Sequence, residues 1–473
     1  MNELCRLPAT NAVELLRSGD VSPVEMVDAS IAQIETVDAK VNALPIHCFD
    51  AARARARTIN IAQERENPVS LCGLPIGVKD YNDLGGTVTT YGSPIYADSV
   101  AKKSDATVRK LQQNGAIAVA KSNVPEWAGG NTFNPVFGAT RNPWDLALSA
   151  GGSSGGSAAA LASGQIWLAT GNDLGGSLRT PAGFNGVVGL RPGPGRVPRG
   201  LRLPAMDTLW VEGPMARNIP DLALMLDAGV GFDADDPLSF DTNGPRFVDQ
   251  IEAQFTPGRV AISPDLGIVE VDREIAGIVM SSAERFREIG CDVTDHTPDF
   301  TGVLEAFQTL RAVLFATLME PILAEHRARI APEIIGNIER GLNISPDEIF
   351  AAERRRIRLY HDVLAFFETH DFLVCPTASI APFPVEQRYV TEINGKPCET
   401  YIDWFSITFA LTMTACPIVS IPCGLTPSGM PVGIQIMGRP RAEADVLRIA
   451  KHLEAAVWRS TQLPIAPRGH IER

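Results

Sequence analysis

Two glycine–serine runs, Gly151-Gly152-Ser153-Ser154-Gly155-Gly156-Ser157 and Asp173-Leu174-Gly175-Gly176-Ser177-Leu178-Arg179, constrain this chain more than any other feature. Glycine lets a backbone turn its N–H groups toward an anion with no Cβ in the way, so each run can form a nest. The same composition also makes flexible tethers. Here the first run leads directly into Ser157-Ala158-Ala159-Ala160-Leu161-Ala162, a strong helix former, so its glycines end in structure. In the second run, the N–H groups of Leu174, Gly175, Gly176 and Ser177 form a candidate oxyanion hole beside the Ser177 hydroxyl.

A nucleophilic serine needs a base. The histidines (His47, His296, His326, His361, His370, His452 and His470) stand in no motif-like setting. A better candidate ends the run Leu71 to Asp80, where Leu74, Ile76 and Val78 alternate as on a strand and Lys79 follows. A desolvated lysine has a depressed pKa and can accept a proton. Spacing alone leaves open a surface Lys79 paired with Asp80.

Three rival motifs are weaker. The G-x-S-x-G elbow of α/β-hydrolases needs a strand just before it, and Asp145 to Ala150 holds no β-branched residue. Ser99-Val100-Ala101-Lys102 fits an S-x-x-K pattern but lies in a polar, charged stretch that reads as loop. Neither glycine run ends in the Gly-Lys-Ser/Thr of a phosphate-binding loop.

Together these pieces resemble the amidase signature family, along Leu71 to Asp80, Asn134 to Trp144, Gly151 to Pro192 and Gly213 to Arg217. Similar stretches recur at Arg259 to Gly267 and Cys416 to Gln435. The resemblance implies a Ser-cisSer-Lys triad, with Ser177 as nucleophile, Ser153 as proton relay after a cis peptide from Gly152, and Lys79 as base. It also implies that Gly129, Gly130 and Asn131 lie beside the triad and bind substrate, although an Asx turn accounts for Asn131 equally well. No metal and no organic cofactor is implied. Arg179 reads as a substrate guanidinium or as a structural partner of Asp173, and Asp173 as support for the loop. Asn172 replaces a more usual Ser or Thr, and Gly193-Pro194 also departs from the family wording. Both departures read as leaving the chemistry untouched.

The resemblance implies an α/β fold: one compact domain over 1–473, with a mixed, largely parallel sheet flanked by helices on both faces. The signature core spans about 65–220 and a substrate-side helical region about 300–370. Local patterns agree. Ser22-Pro23-Val24-Glu25 is a capping box with proline at the first helical position. An amphipathic pattern runs through Ala51 to Glu66, and short apolar runs at 76–78, 117–120, 166–169 and 187–190 alternate with helices at 106–113 and 157–162. A helix at 220–226, a strand at 260–263, a helix at 273–288 and a helical stretch at 303–367 broken near 341–346 follow. A strand at 372–375, an antiparallel hairpin of 419–422 with 432–437, and a helix at 442–457 close the chain.

A net charge of −13 without a basic block disfavours nucleic acid as a partner. The eight cysteines are scattered with no C-x-x-C pair, which predicts buried free thiols and a reducing compartment. No signal-like apolar core opens the sequence and no stretch reaches about 18 uninterrupted apolar residues, so the expectation is a cytoplasmic protein without a membrane segment. The partner expected is a small-molecule substrate, and a homodimer is left open.

Thr180 stands where the glutamine-using subunit of tRNA-dependent amidotransferases usually has glutamine, and it offers no cation for a carboxylate-bearing acyl group. Phe307, Leu310, Val313, Leu314, Phe315 and Leu318, with Trp404 and Phe405, are candidates for an apolar or aryl pocket, or for core. The expected substrate is a small neutral apolar or aryl amide. The alternatives are a carbamate (urethane) or ester, or an amidotransferase subunit supplying ammonia to a partner.

Overall fold

The computed structural model describes residues 3–200, 203–459 and 462–469. Its centre is one sheet of 11 strands. In chain order these are β1 (Ile46–His47), β2 (Pro75–Lys79), β3 (Ile117–Ser122), β4 (Leu168–Asp173), β5 (Val188–Arg191) and β6 (Val211–Ala216), followed by β7 (Arg259–Ile262), β8 (Asp292–Thr294), β9 (Phe372–Pro376), β10 (Ile418–Leu425) and β11 (Pro431–Gly438). Across the sheet they run β1-β3-β2-β4-β6-β5-β10-β11-β9-β7-β8. Strand β2 lies parallel to β3 and β4, and β7 lies parallel to β8 and β9. The remaining pairs are antiparallel, including the β10–β11 hairpin, so the sheet is mixed.

Helices flank it. They include α1 (Pro23–Val41), α2 (Gly155–Ala162), α3 (Arg179–Asn185), α4 (Val303–His326), α5 (Pro332–Asn343), α6 (Pro346–Thr369), α7 (Ser406–Thr412) and α8 (Glu443–Val457). Helix α1 begins as its sequence dictates: the Ser22 hydroxyl accepts from the Glu25 N–H while the Glu25 carboxylate accepts from the Ser22 N–H. Every residue of α2 is buried. It is built of Gly, Ser, Ala and one Leu because backbone lies directly against it: a Cβ on Gly156 would stand 2.4 Å from the Asn123 nitrogen and 2.7 Å from the Ala43 oxygen.

Several local expectations shift. The pattern from Ala51 to Glu66 is two helices, Phe49–Ala56 and Ile61–Glu66, because Asn60 caps the second through the Ala62 N–H at 3.1 Å. Strand β4 starts at Leu168 and continues through Gly171-Asn172-Asp173, residues whose low strand propensity hides it. Strand β6 contains Gly213-Pro214, which reads as a breaker, and no sequence pattern signals the strand. The 303–367 region breaks at 327–331 as well as near 344, giving three helices. Asp145–Ser149 does form a strand, but in a two-stranded ribbon with Arg141–Asn142 outside the central sheet. The segment Val303–Arg329, which is α4 with the short 3-10 turn that follows it, is long and apolar enough to cross a membrane by composition, and 61% of its most apolar stretch is buried inside the protein.

The hairpin strand β11 runs through the core between β10 and β9, with Ile434, Ile436 and Met437 fully buried. Ile436→Ala is expected to lower stability by about 2–5 kcal/mol, the usual cost of a core cavity. Ile357→Ala, on the exposed side of α6, should stay within about 0.5 kcal/mol. Urea unfolding of the two variants measures both.

Candidate active site

Parallel strands β2 and β4 are neighbours, so their carboxyl ends reach the same edge of the sheet, where ligand sites form in open α/β folds. Lys79 ends β2 and Asn172-Asp173 ends β4. The Lys79 N–H donates to the Thr170 hydroxyl at 2.8 Å, which fixes the register of the two ends. Lys79 is wholly buried, and its Nζ stands 2.7 Å from each of Ser153 Oγ, Ser154 Oγ and Asn172 Oδ1. Burial pushes its pKa down to about 7, against the pull of Glu212 and Asp173. Asp80 is not its partner. That carboxylate turns to Lys121 of β3, at 2.7 Å, in a buried ion pair.

A neutral lysine amine has two N–H bonds and one lone pair. Asn172 Oδ1 can only accept, so it takes one N–H. With the Ser154 hydroxyl accepting the second, the lone pair is left facing the Ser153 O–H.

The first glycine run is held tightly. The Gly152–Ser153 peptide is cis, and Gly151 has φ +71°. A Cβ on Gly152 would lie 1.9 Å from the Gly130 oxygen, so the Gly129-Gly130-Asn131 loop rests on this turn, and the Thr132 N–H donates to the Gly151 carbonyl at 3.0 Å. Asn131 is buried, and its Oδ1 accepts from the Ser149 hydroxyl and from the Thr132 N–H at 3.0 Å. Its side-chain oxygen is thus engaged by the Ser149 hydroxyl and the N–H of the next residue, and no Asx turn to Phe133 forms: that N–H donates to the Asn131 carbonyl at 2.9 Å. The Gly129 N–H closes a turn onto the Glu126 carbonyl at 2.9 Å.

The second run folds around Asp173. Its Oδ1 accepts from the Gly176 N–H at 2.9 Å and its Oδ2 from the Leu178 N–H at 3.2 Å. Arg179 spans both oxygens, at 3.0 and 3.1 Å, and also donates to Thr408 O, Thr412 Oγ1 and Gln435 Oε1, each at 2.9 Å. Arg179 is therefore a buried structural partner of Asp173, with Arg191 a second at 3.1 Å. Burial alone would raise the Asp173 carboxyl, but Arg179 and Arg191 hold it at about 2. Of the N–H groups in this turn, that of Gly176 is taken by Asp173. Gly176 has φ +128°, and a Cβ there would meet Thr408 Oγ1 at 2.2 Å, so only glycine fits. Ser177 itself is half-buried, and its carbonyl accepts from the Ser154 N–H at 3.2 Å, which ties the two runs together.

Beyond the lysine lies a cavity of about 450 Å³. The Tyr81 ring forms part of its wall and has Lys79 Nζ 4.9 Å from its centroid. Leu314, Phe315 and Leu318 of α4 line it, as the sequence suggested. Phe307 instead stacks on Phe409 at 4.4 Å beside Gly175, whose Cβ would approach Phe307 to 3.0 Å. Trp404 is core: it packs on Phe184 and Phe383, with centroids at 5.8 and 5.2 Å. Among the described residues no group of three or more His, Cys, Asp or Glu is placed to hold a metal ion.

The amidase family model matches residues 25–447. The chain belongs to the amidase signature family. Among curated proteins it is 32% identical to an acylamidase of Rhodococcus erythropolis, covering 95% of each chain. It is 31% identical to a glutamyl-tRNA(Gln) amidotransferase subunit of Moorella thermoacetica, covering 96% of this chain and 97% of that protein. Among solved structures, a bacterial aryl acylamidase of the same family superimposes with a TM-score of 0.90 at 29% identity, over 98% of this chain and 99% of that one.

For this amidase signature protein, sequence reasoning misses two residues that touch the lysine. Ser154 reads there only as a member of the first glycine–serine run, and Asn172 as an inert departure. The signal that could have found Asn172 is the pairing of β2 with β4, which puts position 172 near Lys79. Asn172→Asp would set a carboxylate where a neutral acceptor now stands, favouring the protonated lysine. The pH at which kcat/KM rises is expected to move up by about 1–3 pH units. A profile unchanged by this substitution would mean that position 172 does not govern the lysine.

Proposed function

We propose that this protein is an amide hydrolase that works through Lys79, Ser153 and Ser177 and an acyl-enzyme intermediate. The observation that carries the reading is the buried Lys79 amine, its pKa lowered to about 7, 2.7 Å from the Ser153 hydroxyl. Lys79 takes the Ser153 proton, and Ser153 takes that of Ser177 as the Ser177 oxygen attacks the carbonyl carbon. The oxyanion is held by N–H groups of Leu174, Gly175 and Ser177, while the Gly176 N–H, expected from the sequence as a fourth donor, is bound to Asp173 and shapes the turn. Ser153 then protonates the departing nitrogen, and water releases the acyl group through the same relay. The Gly129-Gly130-Asn131 loop, pressed against Gly152, borders the scissile amide.

The body of the acyl or amine portion is apolar or aromatic, in keeping with the rings and aliphatic side chains that make up most of the cavity wall next to Tyr81. A carbamate or an ester fits the same steps, since each forms a Ser177 ester. Seven buried free cysteines support a reducing compartment, the cytoplasm. A second reading, an amidotransferase component that passes ammonia to a partner, draws on the 31% identity to such a protein. Thr180 in place of the usual glutamine weighs against it. Ammonia release coupled to a co-purifying second chain would favour it.

Ser177→Ala is expected to reduce anilide hydrolysis by up to ~10^6-fold with the fold retained, since it removes one half-buried hydroxyl. Ser154→Ala should retain far more activity, because Lys79 keeps two of its three neighbours. Comparable collapse in both variants, or survival of Ser177→Ala, would contradict the assignment of the nucleophile.

A further inference from the structure

The cavity beside the lysine combines two kinds of group that rarely meet by chance. Its walls carry the rings of Tyr81, Tyr91, Tyr96, Trp127 and Trp210. Tyr91 and Trp127 are stacked at 5.3 Å, and Tyr96 meets both edge-on at 5.5 and 5.4 Å. Two carboxyls, Asp105 and Glu212, lie among these rings, and no Lys, Arg or His is among the described residues that line the space. Their hydrogen-bond donors are neutral. Glu212 accepts from Trp210 Nε1 at 3.1 Å and Asn82 Nδ2 at 3.0 Å, and Asp105 accepts from the Asp83 N–H at 2.9 Å.

Among the described residues, the nearby cations make no ion pair with either carboxyl, and Lys79 and Arg199 act on Glu212 only from a distance. Lys121 pairs with Asp80 at 2.7 Å, Arg199 lies 3.5 Å from Asp236 and 3.6 Å from Asp207, and Lys79 is held near neutrality by its burial. Burial accordingly raises both carboxyls, Asp105 to about 7. Aromatic faces with an acidic group between them are the surroundings that stabilise a desolvated ammonium.

We propose that this cavity is a subsite for a protonated or quaternary amine carried on the remote end of the substrate. The assignment rests on the amide-hydrolase reading of the same site and narrows it: one end of the substrate is cationic, where the sequence suggested a wholly neutral molecule. Helix α4 gives the reach. Phe307 lies beside Gly175 and Leu314 lies in the cavity wall, two turns or roughly 10 Å apart along the helix, so one substrate can span the Ser177 turn and the cavity.

Benzylammonium and benzyl alcohol, which match in size and differ in charge, test the subsite by calorimetric titration of the intact protein at pH 8. Benzylammonium is expected to bind about tenfold or more tightly, and Asp105→Asn to remove most of that preference. Glu212→Gln is a second variant with the same expectation. Equal binding of the two probes, or a preference that survives in both variants, would overturn the proposal. A parallel assay uses two anilides whose acyl chains end in trimethylammonium or in tert-butyl. Faster turnover of the cationic anilide supports the subsite, and equal or faster turnover of the tert-butyl anilide contradicts it. If benzylammonium binds selectively while Ser177→Ala has no effect on turnover, the catalytic assignment fails and the subsite stands.

Discussion

The site depends on a lysine amine taken out of water without a carboxylate in contact. Three neutral oxygens surround Lys79 Nζ at 2.7 Å, and the nearest acids act on it from a distance. Neutral acceptors cannot repay the loss of hydration of a full charge, so the proton leaves and a base appears at a strand end. This has a cost in stability with a defined sign. The Lys79 pKa falls from 10.5 to about 7 on folding, so the unfolded chain binds more protons between those values. Its burial therefore opposes folding fully below about pH 7 and is relieved as the pH rises toward 10.5.

Asp173, a few ångströms along the same edge, meets the opposite fate. It receives two guanidinium groups and two backbone N–H groups, and so remains ionised when wholly buried. Arg179 carries the bond network onward to α7 and β11, which fastens the Ser177 turn to the body of the sheet. The two groups are sorted by their partners: the lysine has none of opposite charge and can do chemistry, while the aspartate has two and holds the turn. The Lys121–Asp80 pair, one residue past Lys79, belongs with the aspartate as scaffold.

Much of this was legible in the sequence because glycines and small residues were placed where only they fit. The Gly-Ser runs, the strand ending in Lys79 and the β10–β11 hairpin all stand where their patterns put them. What stayed hidden was pairing across the sheet. Strand β6, with its Gly213-Pro214, supplies Glu212 to the site yet carries no strand pattern. Asn172 matters because β4 runs beside β2, a relation that no single stretch of sequence contains. Trp404 and Leu314 read alike as apolar residues, and only packing sends one to the core and the other to the cavity.

Burial brings the Lys79 titration down to about 7, so that an appreciable fraction of the amine is neutral near physiological pH. Competitive acetylation of the native protein across pH 5 to 11, with the Lys79 peptide quantified by mass spectrometry against the other lysines, measures its titration directly. The expected Lys79 midpoint is near 7, well below that of the exposed lysines. A Lys79 midpoint near the ordinary lysine value of 10.5 would contradict it.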